Sequence, residues 1–188
     1  MASILNIRSI DDELIDMIKQ NEGFIEEPKK IEYKTTEGDK IKEVKYTVGW
    51  GQRLSDEEYQ DYLNSKDKNT WINNNFMKKY NKAKEDAGTF MSAYGLYNQP
   101  IPIRKTLIEM SYNMGLGSLK EKKGLMSFKG FANAIRNKDY KRAAEELQWV
   151  DPTTKNKETN LYKQLGPKEG QLLEDSRVGK YILSILNN

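Results

Sequence analysis

The sequence predicts an α+β fold, mostly α, in two lobes: a small N-terminal lobe of one helix and a β-hairpin, and a larger all-helical C-terminal lobe. Three observations predict it. Apolar residues recur at helical spacing just after Ser9. Between Ile31 and Trp50 the period drops to two around a Gly38-Asp39 pair. After Gly51 every periodic segment is helical. The lobes are expected at residues 1–66 and 67–188, a total length that suits one domain with a continuous core.

Ser9-Ile10-Asp11-Asp12 reads as a capping box for the first helix, with Asp at the third helical position in place of the stronger Glu or Gln. Leu14, Ile15, Met17 and Ile18 form its apolar stripe, and Gly23 marks its exit. The hairpin runs from Ile31 through Gly38-Asp39 to Val48. Glycine first in a two-residue turn pairs Glu37 with Lys40, which sets Tyr33 opposite Val44, Ile31 opposite Tyr46, and Lys30 opposite Thr47. Ser55-Asp56-Glu57-Glu58 is a complete capping box. Trp71, Phe76, Met77 and Tyr80 mark a longer helix able to bridge the lobes. Pro102 sits in the first turn of the next helix, whose stripe is Ile103, Leu107, Met110 and Met114. Further helices are expected over Phe128–Ile135, Tyr140–Trp149 and Arg177–Leu186, with a Lys/Thr/Asn/Gly-rich surface excursion from Asp151 to Gly170.

Composition narrows the chemistry. The chain has no cysteine and no histidine, which removes disulfides, thiolate nucleophiles, Ser-His triads and His- or Cys-ligated metals. Acid–base work near neutral pH must fall to Asp, Glu, Lys or Tyr. A net charge of +3, from 31 basic and 28 acidic residues, is too small to indicate dedicated nucleic-acid binding, although it suits a polyanionic partner such as bacterial cell wall. Met1 to Asn6 lacks the basic and apolar regions of a signal peptide, so synthesis in the cytoplasm is expected. No stretch reaches the length of a membrane span.

Glu22 stands where the first helix ends, just before a hairpin that can fold over it. A carboxyl shielded at such a junction holds its proton more readily, as a general acid must. The plainer alternative is one solvated carboxylate among 28 acidic residues. Glu32 becomes the diagonal neighbour of Thr47 in the expected register, and a carboxylate beside a hydroxyl can hold a water. Flanked by Lys30 and Lys34, Glu32 equally suits a solvated strand of paired charges.

Asn21-Glu22-Gly23-Phe24, followed by a hairpin ending Tyr46-Thr47-Val48-Gly49-Trp50-Gly51, resembles the phage-type lysozymes of glycoside hydrolase family 24. There a Glu-Gly pair ends the first helix and a Thr-x-Gly-x-Gly run ends the hairpin. Ser111-Tyr112-Asn113-Met114-Gly115, Phe131 to Ile135, Tyr140 to Leu147 and Ser176-Arg177 are similar to later family segments, in order.

The resemblance implies a lysozyme-like fold. It also implies hydrolysis of the β-1,4 bond between N-acetylmuramic acid and N-acetylglucosamine by inversion, without metal or organic cofactor, on peptidoglycan met after release or as part of a virion; a monomer is the default expectation. Carried over, Glu22 is the general acid and Thr47 the active-site threonine. Arg177 pairs with the glutamate and Asn113 faces substrate; the alternatives are a surface arginine at a helix start and a helix C-cap.

One departure stands out. The family's aspartate, nine residues after the glutamate and six before the threonine, would fall on Ile31 or Ile41. Alignment on the Tyr-Lys-x-Thr-Glu-Gly run puts Thr35 there instead. Glu32 is chosen as second carboxylate on the expected register, with Asp39 the other candidate. Gln52 stands where histidine is common and is expected to be structural.

Overall fold

A computed structural model describes residues 10–35, 38–121, 123–149, 152–155, 157–169 and 171–187, with the side chains of 10, 32–35, 38–44 and 160 outside the description. The fold is α+β and mostly α, as expected. The chain divides into two compact units, Met1–Asn81 and Lys82–Asn188, against an expected boundary at 66/67.

In the first unit, α1 (Ile10–Glu22) buries Leu14 and Ile18 completely. Ser9, its expected cap, lies outside the described residues. The helix stops where Gly23 turns left-handed at φ 67°, its N–H donating to the Lys19 carbonyl at 3.2 Å. The strands β1 (Ile25–Thr35), β2 (Gly38–Gly49) and β3 (Gln52–Leu54) form an antiparallel sheet in the order β1-β2-β3. Strand β1 begins at Ile25, six residues before the expected start. It is an edge strand, so Pro28, which has no N–H to donate, is accommodated near the irregularity between Ile25 and Lys29.

The hairpin register corrects the expectation by one residue. Tyr33 pairs with Glu43, Ile31 with Lys45, Lys30 with Tyr46, and Lys29 with Thr47. Gly38 and Asp39 fall inside β2, with Gly38 paired to Thr35, and the expected turn partner Glu37 lies outside the described residues. A one-residue slip exchanges faces, and Ile31, expected beside Tyr46, is an exposed residue of the other face.

Ser55 caps α2 (Asp56–Asn64) through the complete box: the Glu58 N–H donates to Ser55 Oγ at 3.1 Å, and the Ser55 N–H donates to Glu58 Oε2 at 3.0 Å. The core beneath the sheet is Val48, Leu54, Tyr62 and Ile72, flanked by Tyr46, Tyr59, Trp50 and Trp71. Tyr46 and Tyr59 stack at 3.7 Å between centroids. The long helix α3 (Lys68–Ala93) adds the buried Phe76 and Tyr80. The Tyr80 hydroxyl donates to Asp11 at 2.8 Å, tying α3 to α1.

In the second unit, α4 (Ile101–Met114) carries Pro102 in its first turn and buries Ile103, Leu107 and Met110. It packs with α5 (Lys129–Arg136), α6 (Tyr140–Gln148) and α8 (Arg177–Leu186) around Phe131, Ile135, Leu147, Val178 and Ile185. The stretch from 151 to 170 is more than a surface excursion. It contains α7 (Asn160–Leu165), buries Leu161, and anchors Thr159, whose hydroxyl donates to the Leu147 carbonyl at 2.6 Å. Its polar composition concealed this because one apolar residue per turn suffices to dock so short a helix. Among the described residues, no helix is long and apolar enough to cross a membrane.

Candidate active site

Glu22 is the last residue of α1 and is partly buried. Its carboxylate rests against Gly51: a Cβ at that position would lie 2.6 Å from Glu22 Oε2 and 3.0 Å from Cδ. The turn between β2 and β3 is built for close approach. Gly49 and Gly51 are both left-handed, at φ 59° and 72°. A Cβ on Gly49 would lie 2.2 Å from Gln52 Oε1 and 2.5 Å from Ile72 Cγ2. The buried Gln52 locks the turn, accepting from the Trp50 N–H at 2.6 Å and donating to the Ile72 carbonyl at 2.8 Å. Its structural role is as expected.

Trp50 ties the same turn to α1. Its ring lies 3.8 Å from Lys19 Nζ, meets Phe76 edge-on at 5.3 Å, and packs against Phe24 at 5.1 Å. Lys19 and Glu22, one turn apart on α1, thus engage consecutive residues of the turn.

Thr47 lies on the central strand, paired with Lys29 on one side and Arg53 on the other. It is buried, and no described residue hydrogen-bonds its hydroxyl. Buried hydroxyls are ordinarily satisfied, so one without a protein partner marks a place suited to water or ligand.

Glu32 pairs with Val44, an odd number of positions from Lys29, the partner of Thr47. Its register position therefore has the opposite parity, and the diagonal relation that selected it does not hold. The side chains of Glu32 and Asp39 lie outside the description.

In the second unit, Asn113 and Arg177 meet at a residue the sequence did not single out. Arg177 Nε donates to Glu109 Oε1 at 3.2 Å, with the carboxylate 2% and the guanidinium 13% exposed. Asn113 Nδ2 donates to the Glu109 backbone carbonyl at 2.7 Å and lies 3.4 Å from the Tyr181 hydroxyl. Asn113 is therefore not the C-cap of α4; Gly115 is, its N–H donating to the Ser111 carbonyl. Glu109 carried no signal in the sequence: adjacent helical residues do not share a face, and its partner Arg177 lies 68 residues away.

No known family model matches the chain, and no curated protein matches it.

Proposed function

We propose that this protein is a peptidoglycan-cleaving muramidase, with Glu22 as the acid that protonates the bridging oxygen of the β-1,4 bond. The observation that supports it best is the seating of the Glu22 carboxylate on Gly51. Two motifs 25 or more residues apart, Glu-Gly and Thr-x-Gly-x-Gly, meet through a glycine that a side chain at 51 would disturb. In this mechanism Thr47 holds the attacking water, and a second carboxylate takes its proton as the anomeric centre inverts. Asn113 and Arg177 serve substrate binding and orientation, the latter held by Glu109. The partner is bacterial peptidoglycan, met after release or as part of a virion, and the protein acts as a monomer without nucleic acid or cofactor.

The register favours a second reading. With Glu32 out of phase with Thr47, a lytic transglycosylase that works with one glutamate and leaves a 1,6-anhydro end becomes the rival. A wall-binding protein without activity is the remaining alternative.

The experiment is digestion of purified cell walls by wild type and Glu22→Gln, reading reducing ends and muropeptide masses. Hydrolysis adds one water per cut and transglycosylation adds none. The substitution is expected to lower the rate about 100-fold or more, the scale of a lost general acid. Retention of more than about a tenth of the rate would remove Glu22 from that role.

A further inference from the structure

The chain between α3 and α4 turns a corner that is held at both ends. The Leu96 N–H donates to the Met91 carbonyl at 2.8 Å and the Gly95 N–H to the Ser92 carbonyl at 3.2 Å, closing α3 through a left-handed Gly95. Leu96 is then buried in the core of the second unit, and Pro100 caps α4. Between them Asn98 is left-handed at φ 59°, a conformation that asparagine tolerates better than most residues with a side chain. A loop fixed in this way needs little ordering when a ligand arrives.

A cavity of about 430 Å³ lies on this corner, a volume in the range of small-ligand sites. It belongs wholly to the second unit, and none of Glu22, Thr47, Asn113 and Arg177 lines it. Met91 and Leu96 supply apolar lining. Ser92, Asn98 and Gln99 supply a hydroxyl and two amides, groups that both donate and accept. Tyr97 lines the cavity as well and is 68% exposed, so much of its ring is open to solvent.

Arg104, at the end of the first turn of α4, is the one charged group among the described residues that line the cavity. It is exposed, and among the described residues its guanidinium has no hydrogen-bond or ion-pair partner. Its position does not serve the helix, because the first turn favours negative charge and disfavours a cation. A cation left unpaired at the wall of an otherwise uncharged cavity stays available to an anion.

A pyranose ring offers C–H groups on its faces and hydroxyls along its edge. An open aromatic ring beside apolar lining suits the faces, and amides with a hydroxyl suit the edge. An unpaired guanidinium suits a carboxylate, which it grips by two parallel hydrogen bonds. We propose that this cavity binds an acidic saccharide unit, a sugar ring carrying a carboxylate, through residues that take no part in bond cleavage. The choice of ligand rests on the wall-hydrolase function proposed above, and on that function the unit is the lactyl-bearing N-acetylmuramic acid of the glycan strand.

The test is a titration of the isotope-labelled, full-length Glu22→Gln protein, followed by the backbone amide shifts of residues 92–99. One probe is soluble glycan strand freed of peptide, whose lactyl carboxylates are ionised. The other is an oligomer of N-acetylglucosamine, with similar rings and no carboxylate. The acidic strand is expected to shift these amides saturably and to bind about fivefold more tightly than the neutral oligomer at low salt. Arg104→Gln should remove that preference, about a fivefold loss on the acidic strand and none on the neutral oligomer, with the loss fading as ionic strength rises. Tyr97→Ala should weaken both probes. Lys141→Gln, at an exposed lysine outside the cavity, should weaken neither.

No saturable shift at residues 92–99 with the acidic strand, or equal binding of the two probes that Arg104→Gln does not change, overturns the proposal. Release of sugar ends by the wild-type protein is measured separately. Saturable, Arg104-dependent shifts without released ends would keep the saccharide site and remove the hydrolase function; released ends without such shifts would do the reverse.

Discussion

The carboxylate of Glu22 and the α-carbon of Gly51 are in contact across the junction of α1 and the sheet, with 2.6 Å between Oε2 and the point where a Cβ would stand. A left-handed backbone at 72° and the absence of a side chain are both needed there. Two costs can therefore be separated by substitution.

Gly51→Ala is expected to lose about 1–2 kcal/mol of stability from its positive φ and also to push the Glu22 carboxylate aside. Gly23→Ala has a similar φ of 67° but nothing within 4 Å of the added carbon, so it carries the backbone cost alone. Wall-cleaving activity measured well below the melting temperature should fall far more in Gly51→Ala. Equal activity in the two variants would show that the Glu22–Gly51 contact does not position the acid.

Removing Arg177 leaves the buried Glu109 carboxylate without this cation. Arg177→Met should cost roughly 2–4 kcal/mol in denaturant unfolding, and Arg177→Met/Glu109→Met should recover part of that. A single-variant loss under about 0.5 kcal/mol would show that the pair contributes little.

Gln52→Leu withdraws the acceptor of the Trp50 N–H inside the β2–β3 turn. The expected loss is about 1–3 kcal/mol, together with reduced activity, because the same turn carries Gly51. Full retention of both would contradict the assignment of Gln52 as the lock.

The Glu58 carboxyl is pushed up by burial, but the Ser55 N–H, Lys79, Asn75 and Lys78 together hold it below its ordinary 4.5. A pKa depressed by folding gives stability that is present above pH 4.5 and lost as pH falls through the folded value. Glu58→Gln keeps a capping-box side chain but does not titrate. The wild type's advantage over it should therefore be constant at higher pH and vanish in acid. A difference that does not change between pH 7 and about pH 3 would rule this linkage out.

Local chemistry determined much of this protein from the sequence. The exit of α1 at Gly23, the Ser55–Glu58 box, the proline in the first turn of α4 and the stripe Ile103, Leu107, Met110 all follow from neighbours within about one helical turn, and the structure agrees. The structural role of Gln52 was expected from the resemblance alone, since its bond to the Ile72 carbonyl joins residues twenty apart.

Three features required the tertiary structure. The hairpin register depends on what lies beneath the sheet: Tyr46 stacks on Tyr59 of α2, so Ile31 and Tyr33 of the edge strand were not needed on that face, and the turn preference of Gly38-Asp39 gave way. The pairing of Arg177 with Glu109 spans 68 residues, and the docking of α7 depends on a core assembled from distant helices. A periodic pattern reports which side of an element is apolar, but only packing decides which partner it meets.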